Sequence, residues 1–200
     1  MRKLKLEMQV SLDGFTASAD GDVSWMVWPW SEAWPWDDAL QAHHNHLTTT
    51  SDCILISGRM AEEGFCDHWE RVACDAANPQ SLFAAAIVAT PKLVVTRTMA
   101  SSRWKNAELF RGDLAEGIAR LKREPGKDIL AYGGPTLASA LMDAQLIDEM
   151  HVFINPAVLG QGRKMFKDIR QRAALQARRA TCYPCGMVVL EYVVKHPAHS

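Results

Sequence analysis

The chain has 200 residues, and its 22 basic and 23 acidic side chains leave a net charge of −1. That balance lacks the positive field that binding to nucleic acid needs, and the length suits a single α/β domain spanning residues 1–200. No apolar run reaches the roughly 20 residues of a membrane span, and Lys5, Glu7 and Gln9 interrupt the stretch a signal peptide would need, so a cytoplasmic chain with no membrane partner is expected.

Short apolar runs alternate with helical patterns. Leu4–Val10 reads as the first buried strand. Residues 25 to 36 then hold Trp25, Trp28, Trp30, Trp34 and Trp36, five of the seven tryptophans, together with Pro29 and Pro35. The prolines exclude one regular helix there. A helix starts at Asp37 or Asp38 and places Leu40 and Leu47 on one side. Cys53–Ile56 and Leu93–Val95 are the next strands, while periodicity leaves Ala84–Ala89 open between helix and strand. Asp113 and Glu116 fit a capping box before the stripe Leu114, Ile118, Leu121. Ile129–Tyr132 is a strand, and Pro135 opens a helix lined by Leu137, Leu141 and Ala144. Met150–Ile154 follows. Ala177–Tyr183 and Met187–Val194 flank Pro184-Cys185-Gly186 as a hairpin. The order predicts a mostly parallel sheet covered by helices, with antiparallel strands added at one edge.

Ligands of such sheets sit beyond the carboxyl ends of the strands. Those ends carry Ser57-Gly58-Arg59-Met60, Thr96-Arg97-Thr98, Gly133-Gly134-Pro135-Thr136 and the segment from Asn155 to Gly162. Glycines let a backbone approach a ligand closely, and a following helix offers free N–H groups to a phosphate. Arg59 and Arg97 are either solvated surface cations or a phosphate clamp. Neither a G-x-G-x-x-G nor a P-loop fingerprint is present.

Five blocks in this order resemble the dihydrofolate reductase-like superfamily. They are Ser11-Leu12-Asp13-Gly14-Phe15, Gly21-Asp22-Val23-Ser24-Trp25, Ile56-Ser57-Gly58-Arg59, Tyr132-Gly133-Gly134-Pro135-Thr136-Leu137, and Leu146 to Met150 with Pro156 to Gly162 and Phe166. Within it the chain is most similar to the reductase domain of the bifunctional riboflavin-biosynthesis deaminase-reductase, from about Lys3 to Val194, with no room for the deaminase domain. The resemblance implies hydride transfer from NADPH to a small heterocyclic or ribosylated substrate of pyrimidine or pterin type, and a homodimer. It implies that Gly133, Gly134, Pro135 and Thr136 cradle the diphosphate, with Gly58, Arg59 and Met60 opposite. Thr96 and Arg97 would sit by the adenosine ribose and its 2′-phosphate, and Thr16 and Ala17 along the nicotinamide. Dihydrofolate reductases also place one carboxylate near the start of the helix before the Gly-Arg turn. Asp37 and Asp38 lie in that region, with Asp37 equally suited to capping the helix. Trp25 matches a family position; with Trp28 and Trp30 it would form an aromatic wall for a flat substrate, the other reading being a proline-braced lid packed on the core. The alternative function is a small-molecule-binding protein that kept the fold without turnover.

Other motifs carry less. Asp13 reads as a turn-shaping residue rather than a catalytic one. His68-Trp69-Glu70 and Cys182-Tyr183-Pro184-Cys185 evoke a zinc deaminase signature, but the proline is misplaced and the second element lies far downstream. His43 and His46 would share a helix face without His44, and no fourth ligand is at hand, so no metal is expected. Cys53, Cys66, Cys74, Cys182 and Cys185, an odd set, read as free thiols.

Overall fold

Alternation along the first strand sets up two faces. The computed structural model describes residues 1–31 and 33–196. Strand β1 (Leu4–Ser11) sends Leu4, Leu6, Met8 and Val10 to one side, into a core shared with Ile118, Leu137, Leu141 and Val152. Its other side carries Lys5, Glu7 and Gln9. After β2 (Phe15–Ala17), α1 (Asp38–Thr49) begins where expected, capped by Asp37, whose Oδ1 accepts from Ala39 N and Leu40 N at 3.0 and 3.1 Å. β3 (Ser51–Ser57) runs into the short α2 (Gly58–Glu62), followed by α3 (Phe65–Ala73).

The alanine-rich run left open by periodicity is helical, as α4 (Ser81–Ala89), which buries Phe83, Ala84 and Ile87. β4 (Lys92–Val95) follows at once. Lys92 is buried, and its Nζ donates to the carbonyls of Ile87, Val88 and Thr90 at 2.6 to 3.2 Å. That ammonium closes the carbonyl end of α4. β5 (Ala107–Phe110) leads to α5 (Leu114–Arg123), where Asp113 accepts from Glu116 N at 2.9 Å. Next come β6 (Asp128–Tyr132), α6 (Pro135–Asp143) with its expected N-terminal proline, and β7 (Glu149–Asn155). After the two-residue β8 (Arg163–Lys164), β9 (Ala174–Cys182) and β10 (Val188–Lys195) form the hairpin.

The main sheet has the order β5-β4-β3-β6-β1-β7-β10-β9. Its first six strands are all parallel, and β10 and β9 are each antiparallel to the neighbour before. This is the mostly parallel α/β sheet with an antiparallel edge that the sequence predicts. The second face holds Ile54, Ile56, Leu130, Tyr132 and Phe153 under residues of α1, α3 and α4. The strands missed by pattern are those with little pattern to show: β2 has three residues, β8 two, and β5 none fully buried. The helices α2 and α3 are missed too, although α3 carries the buried stripe Phe65, Trp69, Val72.

The tryptophan segment folds onto that second face. Trp28 is fully buried and Trp36 nearly so. Trp28 packs against Trp36 and Trp34 at ring distances of 4.7 and 5.4 Å, and Trp36 stacks on Phe153 at 5.6 Å. Polar side chains of the sheet edge hold its backbone. Asn155 Oδ1 accepts from Val27 N at 2.8 Å, and Gln9 Nε2 donates to Trp28 O at 3.2 Å.

Buried charge in the β1–β7 half is paired. Glu149 is 9 % exposed at its side chain and lies 3.9 Å from His151, 2.7 Å from Lys3 and 3.0 Å from Arg178. These neighbours, His151 foremost, hold its carboxyl down at about 2 against the ordinary 4.5. A depressed carboxyl contributes stability above its unfolded value and loses it as pH falls through the folded one. Roughly 2–3 kcal/mol should therefore vanish between about pH 4.5 and 2. In urea melts, the stability gap between the native protein and Glu149→Gln should be wide at pH 7 and shrink towards pH 2. A gap independent of pH would contradict this assignment.

Candidate active site

The carboxyl ends of the parallel strands open onto one cleft of about 1820 Å³. Pockets for a drug-sized ligand occupy roughly 300–1,000 Å³, so this space suits a long ligand or two molecules side by side. Two kinds of wall line it.

One wall is glycine and hydroxyl. Ser57 and Gly58 end β3, Thr96, Arg97 and Thr98 end β4, and Gly133 to Thr136 join β6 to α6; all line the cleft. Gly58 has a packing reason to be glycine: a Cβ there would lie 2.7 Å from Thr96 Oγ1. Thr96 cannot easily yield, because the same oxygen accepts from Thr98 N and Met99 N at 3.2 Å. Gly134 is different. Its backbone is extended (φ −77°, ψ 159°), a conformation open to any residue, and a Cβ would meet nothing closer than Ser57 Oγ at 3.9 Å. What a side chain at Gly134 would fill is the gap between the β6–α6 turn and Ser57. Gly134 is also the N-cap of α6 and supplies no side-chain cap, which leaves the first amides of that helix for a ligand. The turn and helix thus fit a diphosphate.

Cations stand at the rim. Arg59 is exposed and bonded to Glu63 at 2.7 Å. Arg97 is exposed and has no salt-bridge partner among the described residues. Thr16 and Ala17 reach the cleft from β2, where the Thr16 hydroxyl donates to Arg163 O at 3.0 Å. Across the loops, Asp13 accepts from Leu159 N and Gly160 N at 3.1 and 2.7 Å. Its carboxyl is held low first by the Ser11 hydroxyl and then by these amides, which fits its reading as a backbone-shaping residue.

The other wall is aromatic. Trp30, Phe65, Trp69, Phe83 and Tyr132 line it. Trp30 sits in the left-handed region at φ 59°, sparsely populated for so bulky a residue, and its ring lies 5.5 Å from that of Phe65. Among these rings are two polar side chains that sequence reasoning did not select. Glu7 is 5 % exposed, His44 is 3 % exposed, and His44 Nε2 lies 3.0 Å from Glu7 Oε1. Tyr132 is buried beside them and bonded to Thr48 at 3.2 Å. Burial, and then the charge of Glu7, push its phenol well above the ordinary value.

The structure brings the expected glycine-side residues Thr16, Ala17, Gly58, Arg59, Met60, Thr96, Arg97, Gly133, Gly134, Pro135 and Thr136 to one cleft. It does not bring the expected carboxylates there. Asp37 is occupied as the cap of α1, and Asp38 is exposed in its first turn. Of the expected substrate wall, only Trp30 lines the cleft. Trp28 is in the core, since the proline-braced segment packs down on α1 and the sheet, and Trp25 bonds through Nε1 to Asp22 O at 3.1 Å. The helix-face expectation for the histidines is also corrected: His43 and His44 turn inward, and His46 is exposed. The missed His44 had a signal, being i+4 from Leu40 and i−3 from Leu47 on the buried stripe. Glu7 had one too, as an acid inside an apolar strand. Among the described residues, no three His, Cys, Asp or Glu side chains converge as a metal site would require, and no helix is long and apolar enough to cross a membrane.

A parallel sheet with an antiparallel edge and a glycine-turn cleft at its carboxyl ends is an α/β arrangement shared with the reductase domain of RibD-type proteins. The RibD C-terminal domain model matches residues 2–189. The chain belongs to the RibD C-terminal domain family. Protein YyaP of Bacillus subtilis (strain 168) is 28% identical over 194 residues, covering 96% of this chain and 94% of that protein. Riboflavin biosynthesis protein RibD of Escherichia coli (strain K12) is 25% identical over 185 residues, covering 78% of this chain and 49% of that protein. A solved structure from Shewanella sp. PV-4, named for riboflavin biosynthesis, shares the fold with a TM-score of 0.71 at 20% identity, covering 97% of this chain and 99% of that one.

Because the backbone at Gly134 suits any residue and the space beside it is open, Gly134→Val should fold with stability changed by less than about 1 kcal/mol. It should nevertheless weaken binding of a dinucleotide phosphate at least about tenfold by filling the gap in front of the helix amides. Thermal melts together with ligand titration check both halves. Unchanged binding would remove the diphosphate from this turn.

Proposed function

We propose that the chain is an NADPH-dependent reductase acting on a small, flat heterocycle or its ribosyl derivative, of pyrimidine or pterin type. The observation that carries this is the uncapped start of α6 behind Gly133-Gly134, beside Ser57-Gly58 at the end of the neighbouring strand, with Arg97 at the rim. Family membership supports a reductase in riboflavin biosynthesis or a related reduction.

The α6 amides and the β6–α6 turn would hold the diphosphate, with Gly58, Arg59 and Met60 opposite. Arg97 and Thr96 would take the ribose 2′-phosphate; a planar guanidinium binds phosphate in a bidentate way. Thr16 and Ala17 would bound the nicotinamide. When bound, the cofactor would supply the hydride. The aromatic wall would orient a flat substrate and exclude water.

Titration of the purified protein with NADPH should quench tryptophan emission, since Trp30 and Trp69 line the cleft. Absence of binding at millimolar NADPH would refute the proposal. Arg97→Ala should weaken NADPH about 10- to 100-fold, in line with loss of a charge-assisted bond, and NADH far less. Equal losses would take the 2′-phosphate away from Arg97. A panel of pterins, carbonyl compounds and nitroaromatics then separates the reductase from the rival reading, a binding protein without turnover. The rival gains from the placement of Asp37 and Asp38 outside the cleft, and steady NADPH oxidation would remove it.

The homodimer expected from the resemblance is part of the same proposal. β9 is the edge strand of the sheet and is exposed from Ala174 to Ala180. An open edge of that length invites pairing with a second copy. Sedimentation should give twice the monomer mass; a monomer at micromolar concentration would contradict it.

A further inference from the structure

We propose that His44 is the proton donor of the reduction and that Glu7 is its positioning residue; this rests on the hydride-transfer reading above. A hydride delivered to carbon leaves the nitrogen or oxygen of a C=N or C=O bond in need of a proton. Asp37 and Asp38, the carboxylates expected to serve, are not in the cleft. Within the aromatic wall, Glu7 and His44 are the only buried Asp, Glu or His side chains among the described residues that line the cleft.

Their geometry suits the task. His44 Nε2 is 3.0 Å from Glu7 Oε1, so the carboxylate holds a proton on Nε2 and turns the ring. The opposite ring nitrogen, Nδ1, is buried and has no hydrogen-bond partner among the described residues; the same is true of Glu7 Oε2. Buried polar atoms are normally bonded, and the two residues that carry these atoms line the cleft, where a substrate can supply a partner. The rings of Phe83 and Trp36, 4.7 and 5.3 Å from that of His44, shield the pair from bulk water and strengthen its hydrogen bond.

In the transfer, the Nδ1–H bond of the imidazolium breaks and its electron pair stays on Nδ1. The proton forms a new bond to the substrate nitrogen or oxygen as the neighbouring carbon takes the hydride. His44 becomes neutral with its proton on Nε2, and solvent recharges it after product leaves. Glu7 Oε2 is left to accept from a substrate N–H, so the substrate edge presents an N–H beside the atom that gains the proton. The other titratable groups turned toward the pair are His43 on α1, Tyr132 on β6, His151 on β7 and Glu191 on β10.

Three measurements test the assignment. Ring-selective nitrogen–proton NMR of the native protein should show a downfield His44 Nε2–H that moves upfield in Glu7→Gln; a native His44 with no proton on Nε2 would overturn the dyad even if a variant failed to fold. NADPH titration of Glu7→Gln and His44→Gln should give dissociation constants within about twofold of native, since neither touches the glycine wall. With a panel compound that the native protein reduces, His44→Gln should lower kcat about 100-fold or more. Retained kcat with NADPH bound would overturn the role of His44. Failure of the native protein to bind NADPH would instead overturn the hydride-transfer reading, and this assignment with it.

Discussion

The parallel pairing of β1 with β6 on one side and β7 on the other is the constraint on which the molecule depends. Leu4 pairs with Ile129 and Lys5 with Glu149, and through β6 the direction passes to β3, β4 and β5. Parallel strands need crossover connections, so helices must cover both faces. Every carboxyl end then arrives at one edge. The backbone cannot continue its ladder there, and turns such as Gly133-Gly134 hand unpaired amides to whatever sits beyond. The cleft is therefore a consequence of strand direction before it is a consequence of any side chain.

The two faces of the sheet are not equivalent. One is apolar along the whole of β1 and β7, where Leu6, Met8, Met150 and Val152 meet α6. The other carries Glu7, Gln9, Glu149 and His151 on the same strands. Burying such groups costs several kcal/mol each unless they are paired. Most are paired: Glu149 with Lys3 and Arg178, Gln9 with the tryptophan segment, Glu7 with His44. The polar side chains fix where α1 and the tryptophan segment rest.

That arrangement also explains the tryptophans. Within twelve residues the chain supplies five indoles, and the face beneath presents Ile54, Ile56, Leu130 and Phe153 for them to cover. Trp28 and Trp36 fill the space between α1, Phe153 and Trp69, with Trp28 and Trp36 edge to face and Trp36 stacked on Phe153. Trp30 is left at the cleft. Core and cleft positions are thus divided among neighbours, a division that adjacency in sequence cannot express.

Sequence alone determined the strand order of hydrophobic runs, the capped starts of α1 and α5, the terminal hairpin and the glycine wall of the cleft, because each is written locally in alternation, capping chemistry or turn residues. It also marked Asp37 as a cap while leaving it a candidate donor; the amides of Ala39 and Leu40 settled that competition. Only the tertiary structure decided which polar residues share a site. Glu7 and His44 lie on different elements, and no local pattern joins a strand residue to one on the helix across from it. Packing α1 against the second face of β1 brings them to 3.0 Å, and that contact is set by how the layers stack.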